Sequence, residues 1–279
     1  MNSTVQATKE LITRLAKKTP VLSMKSATTE PRSLREYSYV PPLADIIAPN
    51  STVKSVTEED QAKLFNGKPT ICFLQHNDST SWMPLIPVMC IELLKMMDKF
   101  KTDIYPSIFF HKVVHSLPLS KEIAASVGGN SVSSYKEALE LLNSNKPYFL
   151  ATCPEGSNCM FDYGGPVAEF QQFALIKAAL ASTANVMLIT FNQKKALSFP
   201  VKIPYIGLIK KKAIGVKVPF YWMPQNPLNI RYEAFEKPVT AEEFNSLTRE
   251  QQNEVIQLMG RMLKKKMEER NSQIEQGEI

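Results

Sequence analysis

The feature that most constrains this chain is an alternation of short apolar strands with helical stretches. Strands rich in β-branched and aromatic residues are predicted at 69–76 (PTICFLQH), 105–114, 147–153 (PYFLATC), 186–191 (VMLITF), 213–218 and 230–235. Helices are predicted at 82–99, 135–143 and 169–181, with Ser81 and Ser133 or Ser134 available as caps. This order predicts an α/β fold with a mostly parallel or mixed central sheet flanked by helices.

The two ends of the chain differ from this alternating centre. Residues 1–56 are predicted to form an N-terminal helix and an irregular arm, in which Pro41-Pro42 breaks any helix. Residues 57–240 are predicted to form the α/β domain, and 241–279 a C-terminal helix and tail. We expect that helix to run unbroken to about residue 269 and to fray beyond Lys266. The N-terminal helix has three open interpretations: packing on the domain, membrane contact or an organelle presequence.

Charge and cysteine content exclude few classes of function. The chain has 33 Lys and Arg against 27 Asp and Glu, a net charge of +6 that does not require nucleic acid. Four cysteines without a CxxC pair are too sparse for a disulfide scaffold and predict free thiols in a reducing compartment. His111 and His115 have no acidic or thiol partner close in sequence, so no metal site is predicted.

No segment is apolar enough to predict a membrane span. The most apolar stretch, residues 82–97, contains two prolines, Glu92 and Lys95, whereas a span needs about 20 predominantly apolar residues. The N-terminus also lacks the pattern of a signal peptide. The sequence therefore predicts a cytoplasmic protein that is peripheral at a membrane surface.

Polar segments follow two of the predicted strands. His76-Asn77-Asp78-Ser79-Thr80-Ser81 follows the first, and a histidine there is suited to act as a general base because its pKa lies near neutrality. Cys153-Pro154-Glu155-Gly156-Ser157-Asn158 follows the third and predicts a tight turn with exposed backbone N–H groups. In parallel sheets, ligands collect where strands end in loops, so these two segments are the candidate site.

The order of these motifs resembles the PlsC-like lysophosphatidate acyltransferase superfamily of glycerolipid acyltransferases. That family has a His-x4-Asp motif after a strand and later a Phe-Pro-Glu-Gly-Thr-Arg motif or a close variant. The resemblance covers roughly residues 65–240. It includes Gly128-Gly129, the strand at Val186 and the segment 235–239 (FEKPV), which is similar to the family's closing Gly-x-Pro-Ile strand end.

The resemblance implies direct acyl transfer without a covalent intermediate. His76 would take the proton of an acceptor hydroxyl, which attacks the thioester of acyl-CoA or acyl carrier protein as co-substrate. No cofactor or metal is implied. The residues that match the acceptor-binding turn, and would hold a glycerolipid-like acceptor, are Glu155, Gly156, Ser157 and Asn158.

The chain departs from the family at three charged positions. The motif Asp is Ser81, so the partner of the His76 ring is either this hydroxyl or Asp78. Asn158 stands where the family has Arg, and no arginine matches near Gly129. Asn cannot supply a charged bidentate contact to a phosphate on the acceptor. A neutral or amphipathic acceptor and a phosphate held by lysines are therefore both open.

Lysines elsewhere offer an alternative source of positive charge. Residues 194–230 contain seven lysines, among them Lys194, Lys210, Lys211 and Lys212, and no acidic residue. Interleaved aromatic residues and prolines make this segment suited to an anionic membrane surface or to the phosphates of an acyl donor. A solvated basic loop is the alternative, and no nucleic-acid-binding module surrounds it.

Two other functions remain open. Cys153 or Cys159 as a nucleophile with His76 as its base would give a thioesterase or another hydrolase, or a covalent acyl carrier. A lipid-binding protein that keeps the fold but lost catalysis with the motif Asp is the second.

Overall fold

The computed structural model of the chain describes residues 31–38, 40–75, 82–109, 130–155, 167, 169–170, 173–193, 198–204, 213–219 and 227–278. Its strands are β1 (Thr52–Ser55), β2 (Thr70–Leu74), β3 (Tyr105–Phe109), β4 (Asn130–Val132), β5 (Tyr148–Thr152), β6 (Asn185–Gln193), β7 (Ser198–Pro204), β8 (Ala213–Pro219) and β9 (Leu228–Ala234). Its helices are a 3-10 turn at Leu34–Glu36 and α1 (Val40–Ile47), α2 (Glu58–Leu64), α3 (Trp82–Phe100), α4 (Tyr135–Leu142), α5 (Phe173–Ala181), α6 (Ala241–Ser246) and α7 (Arg249–Gln276).

Seven strands form one mixed sheet in the order β1-β9-β6-β2-β5-β3-β4. Five of its six neighbouring pairs are parallel, and only β6 and β9 run antiparallel. The carboxyl ends of β2 to β6 therefore meet at one edge of the sheet, together with the amino ends of β1 and β9. We call this the carboxyl edge. Strands β7 and β8 form a separate antiparallel hairpin. The predicted α/β fold with a mixed, mostly parallel sheet is confirmed.

Helices cover both faces of the sheet around two apolar clusters. One cluster joins α1, α2 and α3 to side chains such as Cys72, Leu74 and Ile189. The other joins α4, α5, α6 and α7 to Ile71, Phe73 and Leu188. Successive residues of a strand point to opposite faces, so this alternation assigns each strand residue to the α3 face or the α7 face.

Local sequence signals place several helix ends correctly. Ser134 caps α4, since its hydroxyl accepts a hydrogen bond from the backbone N–H of Glu137 at 3.3 Å. α3 begins at Trp82, as predicted, and ends one residue later than predicted, at Phe100. α5 begins at Phe173, four residues later than predicted. Strand β3 ends at Phe109, and residues 110–114 of the predicted strand lie outside the described residues.

The arm before residue 57 is more regular than the sequence predicts. Pro41 and Pro42 lie inside α1 rather than breaking a helix. Both occupy its first turn, where a backbone N–H has no intrahelical acceptor, so proline is tolerated there. β1 pairs with β9 in parallel, from Thr52 opposite Asn229 to Ser55 opposite Tyr232. The proposed domain division at residues 57 and 241 stays a prediction.

The prediction of one unbroken C-terminal helix that frays beyond Lys266 is wrong. The helix is interrupted between α6 and α7, where Thr248 has an extended backbone and forms a capping box with Gln251. α7 then continues to Gln276, with Met267 in the apolar cluster beneath the helix and Ile274 buried near its end. Sequence periodicity did not reveal the break, since the capping signal lies within a polar stretch.

Lys237 caps the carboxyl end of α5. Its Nζ donates hydrogen bonds to the backbone oxygens of Ala179 at 2.9 Å and Ser182 at 2.6 Å. These carbonyls have no intrahelical donor, so the lysine replaces the missing partner. Burial and, to a smaller extent, the nearby charge of Lys68 lower the pKa of Lys237 to about 8.

This pKa predicts that Lys237 contributes more stability as the pH rises. The folded-state pKa lies below the unfolded value, so the folded chain binds fewer protons between about pH 8 and pH 10.5 and stability rises through that window. The difference in free energy of unfolding between the wild type and Lys237→Met should therefore increase between these pH values. Urea denaturation at several pH values would measure it. Lys136→Met, on exposed α4 surface, serves as the control. If this difference in free energy of unfolding instead shrinks as the pH rises, the carbonyls of Ala179 and Ser182 stabilise the charged ammonium of Lys237.

Candidate functional site

The two candidate segments leave neighbouring strands at the same edge of the sheet. β2 and β5 pair in parallel, with Ile71 opposite Leu150 and Phe73 opposite Thr152. β2 ends at Leu74 and is followed by Gln75, after which His76 is the next residue in the sequence. β5 ends at Thr152 and leads directly into Cys153, Pro154 and Glu155. The expectation that the two segments follow separate strands of one sheet is met, and these strands are adjacent.

Glu155 is the one predicted site residue within the described part of the chain. It lies in a turn at the carboxyl edge and is fully buried, at 0% exposure. A carboxylate is rarely buried in this way unless it is held by other groups. Glu155 therefore has a fixed place in the fold rather than a solvated one at the surface.

The other predicted site residues lie outside the described residues. They are His76, Asp78, Ser81, Gly156, Ser157, Asn158, Lys194, Lys210, Lys211 and Lys212. Their roles stay predictions.

A row of polar side chains crosses four strands near the carboxyl edge, and sequence analysis missed it. Lys54 on β1 is in register with Arg231 on β9, which is in register with Thr190 on β6. Leu74 is opposite Ile189, so the next residue, Gln75, follows beside Thr190. All four alternate with residues of the α3-face cluster and so belong to the α7 face. We call Lys54, Arg231, Thr190 and Gln75 the polar row.

On the α7 face, the polar row lies next to an apolar layer and closer to the carboxyl edge. Phe73 and Leu188, two residues earlier on β2 and β6, belong to the apolar cluster beneath α7. Thr190 and Gln75 are as deeply buried as these, at 1% and 0% exposure. Polar residues at these depths need hydrogen-bond partners. The available signal was a single polar residue at the end of each apolar run, in PTICFLQ and VMLIT.

The side chain of Gln75 is held by the C-terminal helix. Asn271 on α7 donates to Gln75 Oε1 at 3.5 Å and to the backbone oxygen of Phe191 at 3.3 Å. The backbone N–H of Phe191 also donates to Gln75 Oε1, at 3.4 Å. The backbone N–H of Gln75 donates to the oxygen of Ile189 at 2.9 Å. The residue before His76 is thus fixed from β6 and from α7, which is 196 positions away in sequence.

An ion pair fixes α7 beside this network. Arg270 binds Glu233 of β9 with both carboxylate oxygens engaged, at 2.7 Å from Nε and 2.9 Å from Nη2. Lys266 lies 3.8 Å from the same carboxylate. Bidentate geometry of this kind fixes orientation as well as distance. The position of Asn271 over Gln75 is therefore set by its neighbour in sequence.

Two of the thiols are poor candidates for a nucleophile. Cys72 and Cys90 are free and buried. Burial raises the pKa of Cys90 to about 12 and that of Cys72 well above its ordinary value. Thiolate chemistry needs the opposite shift. Cys153 is only half-buried at the carboxyl edge, so it remains open as a nucleophile, and Cys159 lies outside the described residues.

The segment similar to the family's closing block lies away from the site. β9 runs antiparallel to β6, so its carboxyl end and the residues that follow it lie at the opposite edge of the sheet from Glu155. Lys237 in this segment binds the end of α5. Within the described residues, the block therefore has a structural role.

No family model matches this sequence, and no curated protein matches it significantly. None of the described helices combines the length and the apolar content needed to cross a bilayer.

Asn271→Leu should weaken the attachment of α7 to the end of β2. The substitution removes the amide that bonds Gln75 and Phe191 and leaves buried acceptors with fewer donors. We expect the free energy of unfolding to fall by about 1–3 kcal/mol. Chemical denaturation would measure this, with Ser272→Leu on the exposed side of α7 as the control. Equal effects of the two substitutions would contradict the role of Asn271.

Proposed function

We propose that this protein transfers a fatty acyl group from an acyl thioester to a hydroxyl of a glycerolipid-like acceptor. The observation that carries the proposal is the parallel pairing of β2 with β5. Because of this pairing, Gln75, the residue before His76, and Glu155 both lie at the carboxyl edge. A general base and an acceptor-binding turn must lie within reach of one substrate. The order of motifs along the sequence gives the proposal its chemistry.

In this mechanism His76 is the general base. Its imidazole takes the proton of the acceptor hydroxyl, and the hydroxyl oxygen attacks the thioester carbonyl. The carbon–sulfur bond then breaks, and the leaving thiolate takes the proton from the imidazolium. No covalent acyl-enzyme forms, and His76 returns to its starting state. The donor is acyl-CoA or acyl carrier protein.

Glu155 serves to orient the acceptor turn in this proposal. Its complete burial suits a carboxylate that holds the backbone of the turn rather than one that titrates in solvent. Gly156, Ser157 and Asn158, which follow it, then contact the glycerol backbone or its headgroup. Peripheral attachment to a membrane through segment 194–230 would bring lipid acceptors to the carboxyl edge, since Lys194 directly follows β6.

His76→Ala should abolish acceptor-dependent release of free thiol from acyl-CoA. A positioned base contributes about 10²–10⁴ in rate, so the variant should lose activity by that factor. The assay would use purified protein, a panel of acyl-CoAs and, as acceptors, lysophospholipid, monoacylglycerol or glycerol-3-phosphate. His115→Ala is the matched control. Cys153→Ser should retain activity, since a thiol nucleophile is not required.

Other outcomes of this assay would point to other functions. Thiol release that needs His76 but no acceptor would indicate a thioesterase. Release lost in Cys153→Ser would indicate a thiol nucleophile. Absence of release from any acyl-CoA by folded protein would contradict the use of acyl-CoA, and the same absence with acyl carrier protein would favour a lipid-binding relative.

Ser81→Asp should raise the rate. It restores the carboxylate of the His-x4-Asp pattern, which would fix the imidazole tautomer and stabilise the imidazolium. The comparison is kcat of the variant with kcat of the wild type on the acceptor identified above. A lower kcat in a well-folded variant would instead favour Asp78 as the partner of His76.

A further inference from the structure

Arg231 carries a buried positive charge that no carboxylate neutralises within the described part of the chain. The residue is 8% exposed. Its Nη1 donates to Asn229 Oδ1 and, at 3.0 Å, to the backbone oxygen of Ile230. Both acceptors are uncharged, and a guanidinium has five N–H donors to place. Buried charges are normally paired, so this side chain has capacity for an anion.

Two carboxylates that contact β9 or lie on it, those of Glu233 and Asp60, are engaged by other groups. Glu233, on the same face of β9, is bound by Arg270 and approached by Lys266. Asp60 accepts from the backbone N–H of Ala234 at 2.9 Å and from Thr57 at the start of α2. The immediate surroundings of Arg231 thus keep an excess of positive charge.

Lys54 adds a second cation beside Arg231. The two residues are in register on neighbouring parallel strands. Val53 packs into the α3-face cluster, so Lys54 lies on the same face as Arg231. Lys54 is exposed and makes no ion pair within the described residues. Thr52, on the same face, donates to Asn229 Oδ1 at 3.1 Å.

The guanidinium of Arg231 reaches toward the carboxyl edge. Its contact with Asn229, two residues earlier on β9, directs it to the amino end of that strand. This end lies at the edge where β2 and β5 end. One strand separates β9 from β2, so the backbones of these two strands lie about 10 Å apart across the sheet.

We infer that Arg231 and Lys54 form a binding site for a phosphate group. A planar guanidinium beside an ammonium matches phosphate oxygens, and Arg is the residue suited to bidentate phosphate contacts. The site lies on other residues than the acceptor turn and does not depend on acyl transfer. Its phosphate comes either from a soluble phosphorylated ligand or from the headgroup of a lipid.

Binding of two probes to the full chain tests this inference. Pyrophosphate, measured by isothermal titration calorimetry, represents a soluble ligand. Vesicles of phosphatidylcholine with and without phosphatidate, measured by flotation, represent a lipid headgroup. Arg231→Gln should weaken binding about tenfold or more, since it removes the charged hydrogen bonds to the phosphate. Lys136→Gln, with the same loss of charge on α4, should bind like the wild type.

Each outcome bears on the inference. Binding of pyrophosphate alone indicates a soluble ligand, and binding of phosphatidate vesicles alone indicates a lipid headgroup. Failure of folded wild type to bind either probe, or equal binding by Arg231→Gln, would overturn the site. Where Arg231→Gln does not fold, Lys54→Gln decides, because unchanged binding by this exposed variant would also overturn it. His76→Ala should bind the same probe as the wild type with unchanged affinity, which separates this result from the test of catalysis.

Discussion

The position of β2 between β5 and β6 is the constraint on which the rest of the structure depends. All five of its residues are buried, and both of its neighbours run parallel to it. A strand covered on both faces can exchange few of its side chains for polar ones without loss of stability. The end of β2 therefore has a fixed position at the carboxyl edge, and the polar residues of the candidate site follow only after Leu74.

At the polar row, the α7 face of the sheet changes from apolar to polar within two residues of each strand. On the α7 face, Phe73 and Leu188 complete the apolar cluster, and Gln75 and Thr190 lie one layer further toward the edge. α7 spans both layers, packing Met267 on the first and placing Asn271 on the second. One helix thus contributes to stability along most of its length and holds the approach to the proposed site near its end.

The sequence predicted the fold well because its strongest signals are local. Apolar runs such as VMLITF and the cap Ser134 act within a few residues, and the structure has the corresponding strand and helix. The break before α7 was missed because Thr248 and Gln251 form a capping box within a charged segment that reads as continuous helix. β4 and β7 were missed because a three-residue strand and one with two prolines carry weak periodicity.

Site prediction depended on contacts that sequence spacing does not encode. The adjacency of the segments after β2 and β5 follows from a strand order in which β2 skips β3 and β4. Glu155 was found because it lies in a recognisable Pro-Glu-Gly turn. Arg231 was missed because only the register of the sheet places it in the polar row. Asn271 was missed because its partner Gln75 is 196 positions away in sequence.

The same strand order has a consequence for synthesis of the chain on the ribosome. The partners of β2 are β5 and β6, and Thr70 pairs with Asn185 roughly 115 residues later. At about 5–20 residues per second, this fully buried strand waits roughly 6–23 s for its second neighbour to be made. Both of its edges are exposed to other nascent chains early in that interval. Protection of this strand during translation is thus a requirement that the topology imposes before any substrate is bound.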